Sequence, residues 1–483
     1  MTSSPSIPPT WPVLAVLASA MLLPSMGTSI VNVALPEMAR AFGVAFPAVQ
    51  WVVLSYLLAL SAFIVGAGRL GDLFGRRRLL LAGLALFAVA SMLGAVAGAL
   101  WQVIAARALQ GLGAAFMTAL SIALVGDLVP KSRAGSAMGL LGTVSAVGTA
   151  LGPTLGGTLV AGFGWPAVFT TLAGTGVASW AAARLILPAD RPADRQTGRP
   201  PHFNPAGLVL LALALTASAL VMTQAMGGIA ANLALTAGAL FAFLLLVRVE
   251  ARAPAPLVQP RLLADPSLAA GLAGSGLIAA VLMSTLVVGP FYLSQALGLD
   301  ALQTGLVMSV GPAVSALCGI PAGRAVDRFG PQTMTRFGLA LLFLGTVLMV
   351  ALPIRLGWPG YAFSLAVTTS GYAVFQAANN TAIMARAAGG ERGTVSGLLG
   401  LSRNLGLIAG ASALGALFHW GTGITVPLFG AGAAAGLQVT FATAALLTLF
   451  AVALTRTGQT PADQGAGLAQ ASPDRPQPPK RSI

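Results

Sequence analysis

Charge is what this sequence has least of. Only 8% of its 483 residues are charged and 56% are hydrophobic, where a soluble domain carries roughly a quarter charged residues. So few charges cannot cover a water-facing surface on a chain this long. In lipid the outer surface needs none, provided the backbone polar groups are satisfied internally. Cysteine is nearly missing: Cys318 alone excludes a disulfide framework and a thiolate metal site. His202 and His419 are too few for a histidine metal centre. No G-x-x-x-x-G-K-[ST] loop occurs, which argues against ATP-driven transport. No nucleophile–base set or His/Asp/Glu cluster of useful spacing points to an enzyme. No metal and no cofactor is expected. Of the 26 basic residues only Lys131 and Lys480 are lysines, the mark of a GC-rich, bacterial coding sequence rather than of any chemistry.

Long apolar runs are what the chain does have. Helical spans need about 20 apolar residues each, and the runs predict six at 13–36, 48–70, 79–99, 102–127, 137–160 and 165–187. Two more follow at 205–224 and 229–247, then six at 268–296, 302–323, 333–353, 359–386, 394–418 and 434–455. The fold class is therefore all-α integral membrane, with about 14 transmembrane helices. The domain plan is an N-terminal tail (1–12), a six-helix bundle (13–187), a charged proline-rich linker (188–204), two inserted helices (205–247), a second linker (248–267), a second six-helix bundle (268–455) and a disordered tail (456–483). Asn204 and Pro205 read as the cap and first position of the seventh helix.

The net charge of +14 would point to nucleic acid in a soluble protein; here its placement reads as topology, and no nucleic-acid partner is expected. Loops after even-numbered spans collect Arg76, Arg77, Arg78, Lys131, Arg133, Arg328, Arg336, Arg386, Arg392, both linkers and the tail, while the other face receives only Arg40 and Arg355. The positive-inside rule then puts both termini in the cytoplasm, in a cell (inner) membrane.

Two segments repeat one pattern. Gly68-Arg69-Leu70-Gly71-Asp72-Leu73-Phe74-Gly75-Arg76 and Gly323-Arg324-Ala325-Val326-Asp327-Arg328-Phe329-Gly330-Pro331 share Gly, Arg, Asp, Phe and Gly at one spacing. Each falls in the loop after the second helix of a six-helix block. The chain thus reads as two related halves with a two-helix insert, an architecture in which a site lies between the halves. Asp can pair with a nearby Arg or a helix N-terminus, and the second Gly turns the chain.

At these residues the chain resembles the major facilitator superfamily, specifically its fourteen-span drug:proton antiporter branch, over about residues 13–455. G-R-L-G-D-L-F-G-R-R-R at 68–78 is similar to the family's signature loop, Arg107-Ala108-Leu109-Gln110-Gly111 to its fourth-helix motif, and Gly148-x-x-x-Gly152-Pro153-x-x-Gly156-Gly157 to the fifth-helix motif of exporters. Thr28-x-x-x-Asn32-x-Ala34-Leu35-Pro36 resembles the first-helix motif. The resemblance implies a multidrug-efflux fold of two bundles rocking about a central cavity, with Asp72 helping to lock the cytoplasmic-closed state. One position departs. Fourteen-span antiporters commonly carry Asp five residues before that Asn, and here Gly27 stands there. The family's first-helix carboxylate does not carry over, so any proton coupling would have to use another residue and the preference for cationic drugs loses its counter-ion there.

All twelve acidic residues fall at span ends, Glu37 and Asp300 toward one face and the rest, Asp127 among them, toward the other. A buried carboxylate is the usual proton carrier or counter-ion for a cation, and no acid lies at mid-span. Arg403 does, about ten residues or 15 Å into its span, facing either a cavity or carbonyls of a neighbouring helix. Arg107 lies nearer the outer end of its span, facing the cavity or snorkelling outward. Asn32, Gln110, Gln376, Asn379, Asn404 and neighbouring Asn380 need partners in lipid, and are substrate contacts or helix bridges; Gln50, Gln224 and Gln295 read the same way. Trp51 and Tyr56 would stack a flat ligand or serve as packing. Gly148, Gly152 and Gly156 share one helix face, which with Pro153 packs closely and would seal or hinge the cavity between the halves. Gly68, Asp72, Gly75, Arg76, Asp127, Asp327 and Gly330 complete the gating set. The expected function is a monomeric secondary exporter of small organic molecules, neutral or anionic, by proton-coupled alternating access. The alternatives are an exporter of a metabolite, organic acid or siderophore, and a membrane sensor or scaffold.

Overall fold

The structure, a computed structural model, describes residues 10–130, 134–190, 205–223, 229–250, 264–386, 392–424 and 431–457. Both tails and most of both linkers lie outside them, as do Asn204 and Gln224. The helices are α1 (Thr10–Ala41), α2 (Trp51–Phe74), α3 (Arg76–Ala95), α4 (Leu100–Leu128), α5 (Ala134–Phe163), α6 (Pro166–Ile186), α7 (Pro205–Thr223), α8 (Ile229–Glu250), α9 (Pro266–Phe291), α10 (Ala301–Phe329), α11 (Pro331–Leu356), α12 (Trp358–Arg386), α13 (Arg392–Ala409) and α14 (Ala433–Thr457). Helix α13 runs on through a π-turn (Gly410–Leu414) into Gly415–Thr422. Among the described residues, ten helices are long and apolar enough to cross a membrane, and α7 and α8 hold shorter apolar stretches.

Helix ends follow local chemistry. Asp300 accepts from the Gln303 amide at 2.7 Å while Gln303 Oε1 accepts from the Asp300 amide, a reciprocal cap on α10. Asp265 caps α9 by accepting from the Ser267 amide at 2.9 Å. The repeated segments are helical further than the sequence suggests, because nothing from Arg69 to Phe74 or from Arg324 to Phe329 opposes helical backbone. Only Gly75 (φ +98°) and Gly330 (φ +82°) break it, in the left-handed region that favours glycine.

Packing repeats eight helices apart. Helix α1 packs on α5, α2 on α4, and α3 on both α4 and α6; α9 packs on α13, α10 on α12, and α11 on both α12 and α14. The two halves touch chiefly at the end opposite the arginine cluster. There Thr154 and Ser309 share a hydrogen bond between α5 and α10, and Gln50 Nε2 donates to the Ser412 carbonyl at 3.4 Å. Phe46, in a one-turn helix before α2, stacks edge-on against Phe291 at 4.7 Å between ring centroids and tilts against Phe418 at 5.3 Å.

Glycines trace the contrast from one end to the other. A Cβ on Gly157 would lie 2.5 Å from the Ala301 carbonyl oxygen, so α5 and α10 meet backbone to backbone there. At the arginine-rich end, a Cβ on Gly139, Gly142, Gly319, Gly323, Gly397 or Gly400 would meet nothing within 4 Å. The molecule is shut at one end and open at the other.

Candidate functional site

The arginine-rich end of the first half is tied by one guanidinium. Arg76, the first residue of α3, reaches Asp72 Oδ1 on α2 with Nη2 at 2.8 Å and Asp127 Oδ2 on α4 with Nη1 at 2.6 Å. These side chains are 31–45% exposed, so each pair contributes under about 1 kcal/mol. Their value is positional, since three helix ends move as a block. Asp190, at the end of α6, accepts from the Arg77 and Arg78 amides at 2.8 and 3.1 Å and caps α3. A Cβ on Gly75 would stand 2.5 Å from Asp190 Oδ2, so another residue there would push this cap aside as well as strain φ. Asp190 reads as linker in the sequence; its signal was only an acid beside a run of basic residues. In the second copy Pro331 stands where Arg76 does, so Asp327, which is exposed, has no equivalent guanidinium. The second half ties α9 to α12 through Asp265 and Arg386 at 3.9 Å instead.

Arg107 is the largest fully buried side chain among the described residues, with 0% exposure. It does not snorkel. Its face of α4 turns inward against α2, so the guanidinium is held from inside: Nε donates to the Val52 carbonyl at 3.0 Å, Nη1 donates to Gln110 Oε1, and Cζ sits 4.0 Å over the Tyr56 ring. Gln110 Nε2 donates in turn to Ser91 Oγ at 2.6 Å, and the Tyr56 hydroxyl to the Pro24 carbonyl at 2.8 Å. Tyr56 therefore offers its face to Arg107 and not to a flat ligand. Nη2 has no partner. Gly27 explains why no carboxylate is at hand: its Cβ position lies 3.3 Å from the Phe87 ring and 3.8 Å from the Tyr56 hydroxyl, so an acid there would reach into this cluster. Burying an ion costs several kcal/mol, and a desolvated cation over an aromatic ring recovers about 2 kcal/mol. This is a charge kept at a net cost.

The second half supplies a different arginine. Arg403 lies about 16 Å along α13 and is exposed, at the end where the halves stand apart, interacting with the Tyr372 hydroxyl of α12. Its neighbour Asn404 is buried, and Ser402 Oγ donates to the Leu272 carbonyl at 2.5 Å. Asn379 Nδ2 donates to the Gly271 carbonyl at 3.0 Å, a helix bridge, and Gln376 and Asn380 are half-buried on the same helix. Asn32 Nδ2 donates to the Thr28 carbonyl of its own helix at 3.1 Å, leaving Oδ1 unpartnered. Trp51 is half-buried. The candidates thus form two groups: Arg107, Gln110 and Tyr56 in the first half, and Gln376, Asn379, Asn380, Arg403 and Asn404 in the second.

The glycine stripe needs a correction. Gly148, Gly152 and Gly156 face α1: a Cβ on Gly148 would stand 2.7 Å from the Leu22 carbonyl oxygen, one on Gly156 2.6 Å from that of Ile30, and one on Gly152 would overlap Ser29. The stripe packs within its own half. The seam between halves is made by the adjacent face, where the Pro153 carbonyl, Thr154 and Gly157 meet Gly305 and Ser309. At this closed end Glu37, Arg40 and Thr304 line a small pocket, and Glu37 Oε1 accepts from the Trp165 amide at 3.3 Å.

Two six-helix units packed in one pattern, in close contact at one end and apart at the other, define a membrane transporter. Over residues 17–411 the chain matches the Major Facilitator Superfamily, and it belongs to that family. It is similar to the drug efflux pump JefA of Mycobacterium tuberculosis, with 31% identity over 423 residues covering 86% of this chain and 82% of JefA. It is also similar to the riboflavin transporter RibZ of Clostridioides difficile, with 27% identity over 410 residues, 84% of this chain and 88% of RibZ. Its fold is like that of a bacterial homolog of the human lysosomal transporter Spinster in an inward-facing, occupied conformation, with a TM-score of 0.67, 15% identity, and 92% and 96% of the two chains covered.

Proposed function

We propose that this chain exports small organic molecules across the cell (inner) membrane by proton-coupled alternating access, as a monomer with fourteen spans and both termini cytoplasmic. Residues 13–187 and 268–455 act as the moving bundles, 205–247 as the inserted pair, and 188–204 and 248–267 as cytoplasmic linkers. One observation carries the reading: the seam between the halves is closed backbone to backbone at Gly157 and open beyond Gly142 and Gly319. That is one of the two states alternating access needs. The arginine excess at the open end supports calling it cytoplasmic, and the drug efflux pump JefA supports the direction. Asp72, Arg76 and Asp127 make the first half rigid, so the seam and not the bundle gives way. Gly68, Gly75, Asp327 and Gly330 belong to the same gating set.

The site supports a neutral or anionic substrate. Arg403 is exposed, and no acid lies beside it at mid-span depth on the described helices. A cation there would be repelled by an unscreened like charge; an anion or a neutral hydrogen-bond acceptor would not. Export of a metabolite is the second reading, favoured by the likeness to the riboflavin transporter RibZ.

The test uses one aromatic scaffold carrying a carboxylate, an amide or a quaternary ammonium group. With purified protein in proteoliposomes, the carboxylate and amide are expected to cross at least about tenfold faster than the ammonium, a difference of about 1.4 kcal/mol in recognition. Preference for the ammonium would overturn the charge assignment.

A further inference from the structure

At the closed end a cavity of about 20 Å³ lies between the two halves. Glu37 and Arg40 of α1 stand on one side of it, and Ser294, Ala301 and Thr304 of the second half on the other. Thr304, at the start of α10, is 2% exposed, and its hydroxyl oxygen is buried with no hydrogen-bond partner. Ser309, further along α10, donates its hydroxyl to the Gly305 carbonyl at 2.7 Å; Thr304 makes no such bond. A buried hydroxyl left unpaired is costly, so this one calls for a partner in the cavity. The space holds about one water, which needs two to four polar partners. The Thr304 hydroxyl, the Glu37 carboxylate and the Ser294 hydroxyl supply them. Glu37 is half-buried and spends Oε1 on the Trp165 amide of its own half at 3.3 Å, which leaves its second oxygen as an acceptor. The positive dipole end of α10 and the Arg40 guanidinium favour a negative charge here, while Asp300, the cap of α10, opposes it.

From this geometry we infer that Glu37 is the lock of the outer gate: through one water in this cavity its carboxylate holds the Thr304 hydroxyl of the opposite half and keeps the closed end shut. The inference rests on the alternating-access reading above and names the residues that set its gate. A charged acceptor makes a hydrogen bond about twice as strong as a neutral one, which is why the pair uses an acid. Opening the outer end draws α1 away from α10, and bulk water then solvates both groups. The contact therefore exists in the closed state alone and biases the equilibrium toward it. Glu37 is a positioning residue in this role, joined to its own half at Trp165 and to the other half at Thr304.

The test reads the gate from outside. In a Cys318→Ala background, Ser309→Cys places one thiol about 12 Å along α10 from its outer start, and a membrane-impermeant maleimide is added to right-side-out vesicles. Glu37→Gln keeps an acceptor for the Trp165 amide and removes the charge. Thr304→Val keeps the shape and removes the hydroxyl. Each is expected to raise the labelling rate by about tenfold, and the two together by no more than either alone, since both break one contact. Thr304→Ser restores the hydroxyl and is expected to label as slowly as the background protein. Unchanged labelling in Glu37→Gln or Thr304→Val, or effects that multiply in the double variant, overturns the lock. Fast labelling in Thr304→Ser overturns it as well. If Thr304→Val does not fold, Thr304→Ala is read against the same outcomes. Fast labelling of the background protein itself would show this end open to the outside, and would remove the alternating-access reading on which the lock rests.

Discussion

Thr154→Cys and Ser309→Cys, introduced together in a Cys318→Ala background, are expected to form a disulfide on oxidation that stops transport, with recovery on reduction. The hydroxyl oxygens of the native pair are in hydrogen-bond contact across the α5–α10 seam, so two cysteines at the same positions bring their sulfurs close together. The bond would join the halves at the end opposite the arginine cluster. A transporter that must open that end to release its substrate then stays in the present state, and substrate still binds from the open end but does not leave on the other side. The expected drop in turnover is at least about tenfold, limited by the fraction left uncrosslinked. Undiminished transport by fully crosslinked protein would mean that the seam does not open in the cycle.

Arg107→Met is expected to separate stability from function. The guanidinium is buried with a carbonyl, a glutamine and a ring for company, and one of its nitrogens is unpartnered. A lone buried charge costs several kcal/mol that an apolar side chain does not, which offsets the roughly 1–3 kcal/mol lost when Gln110 Oε1 is left without its donor. Methionine fills the same slot over Tyr56, and Gln110 keeps its hydrogen bond to Ser91. Thermal unfolding in detergent should therefore stay in place or move upward, while transport falls at least about tenfold because the cycle has lost its buried charge. A marked drop in melting temperature with transport per folded molecule unchanged would make Arg107 a structural anchor. The same comparison at Arg403, which is exposed, should leave stability alone.

Much of the fold is legible in the sequence because membrane helices write themselves as apolar runs, and because Gly75 and Gly330 can only be turns. The repeat was equally plain, down to Pro331 replacing the residue that holds Asp72. Helix faces were not legible. A helix that is apolar on every side has no polar stripe to say which way it turns, so Arg107 reads as facing the cavity or snorkelling outward, when its face of α4 in fact points at Val52 and Tyr56. The same blindness assigned the seam to Gly148, Gly152 and Gly156, when the face one step around the helix carries it. Asp190 was lost for a different reason. A helix cap supplied from 112 residues away (Arg78 to Asp190) leaves no local pattern. Which end of the molecule is closed is a property of one conformation, and no residue type encodes it.

The account stands most directly on coupled transport. Everted membrane vesicles holding an inward-acidic proton gradient, followed by a pH-sensitive dye, would be challenged with anionic, neutral and cationic compounds in turn. Proton efflux on adding anionic or neutral compounds, with little response to quaternary cations and none from vesicles lacking the protein, is the predicted result. Measurable uptake of any compound with no proton movement would contradict gradient-driven antiport.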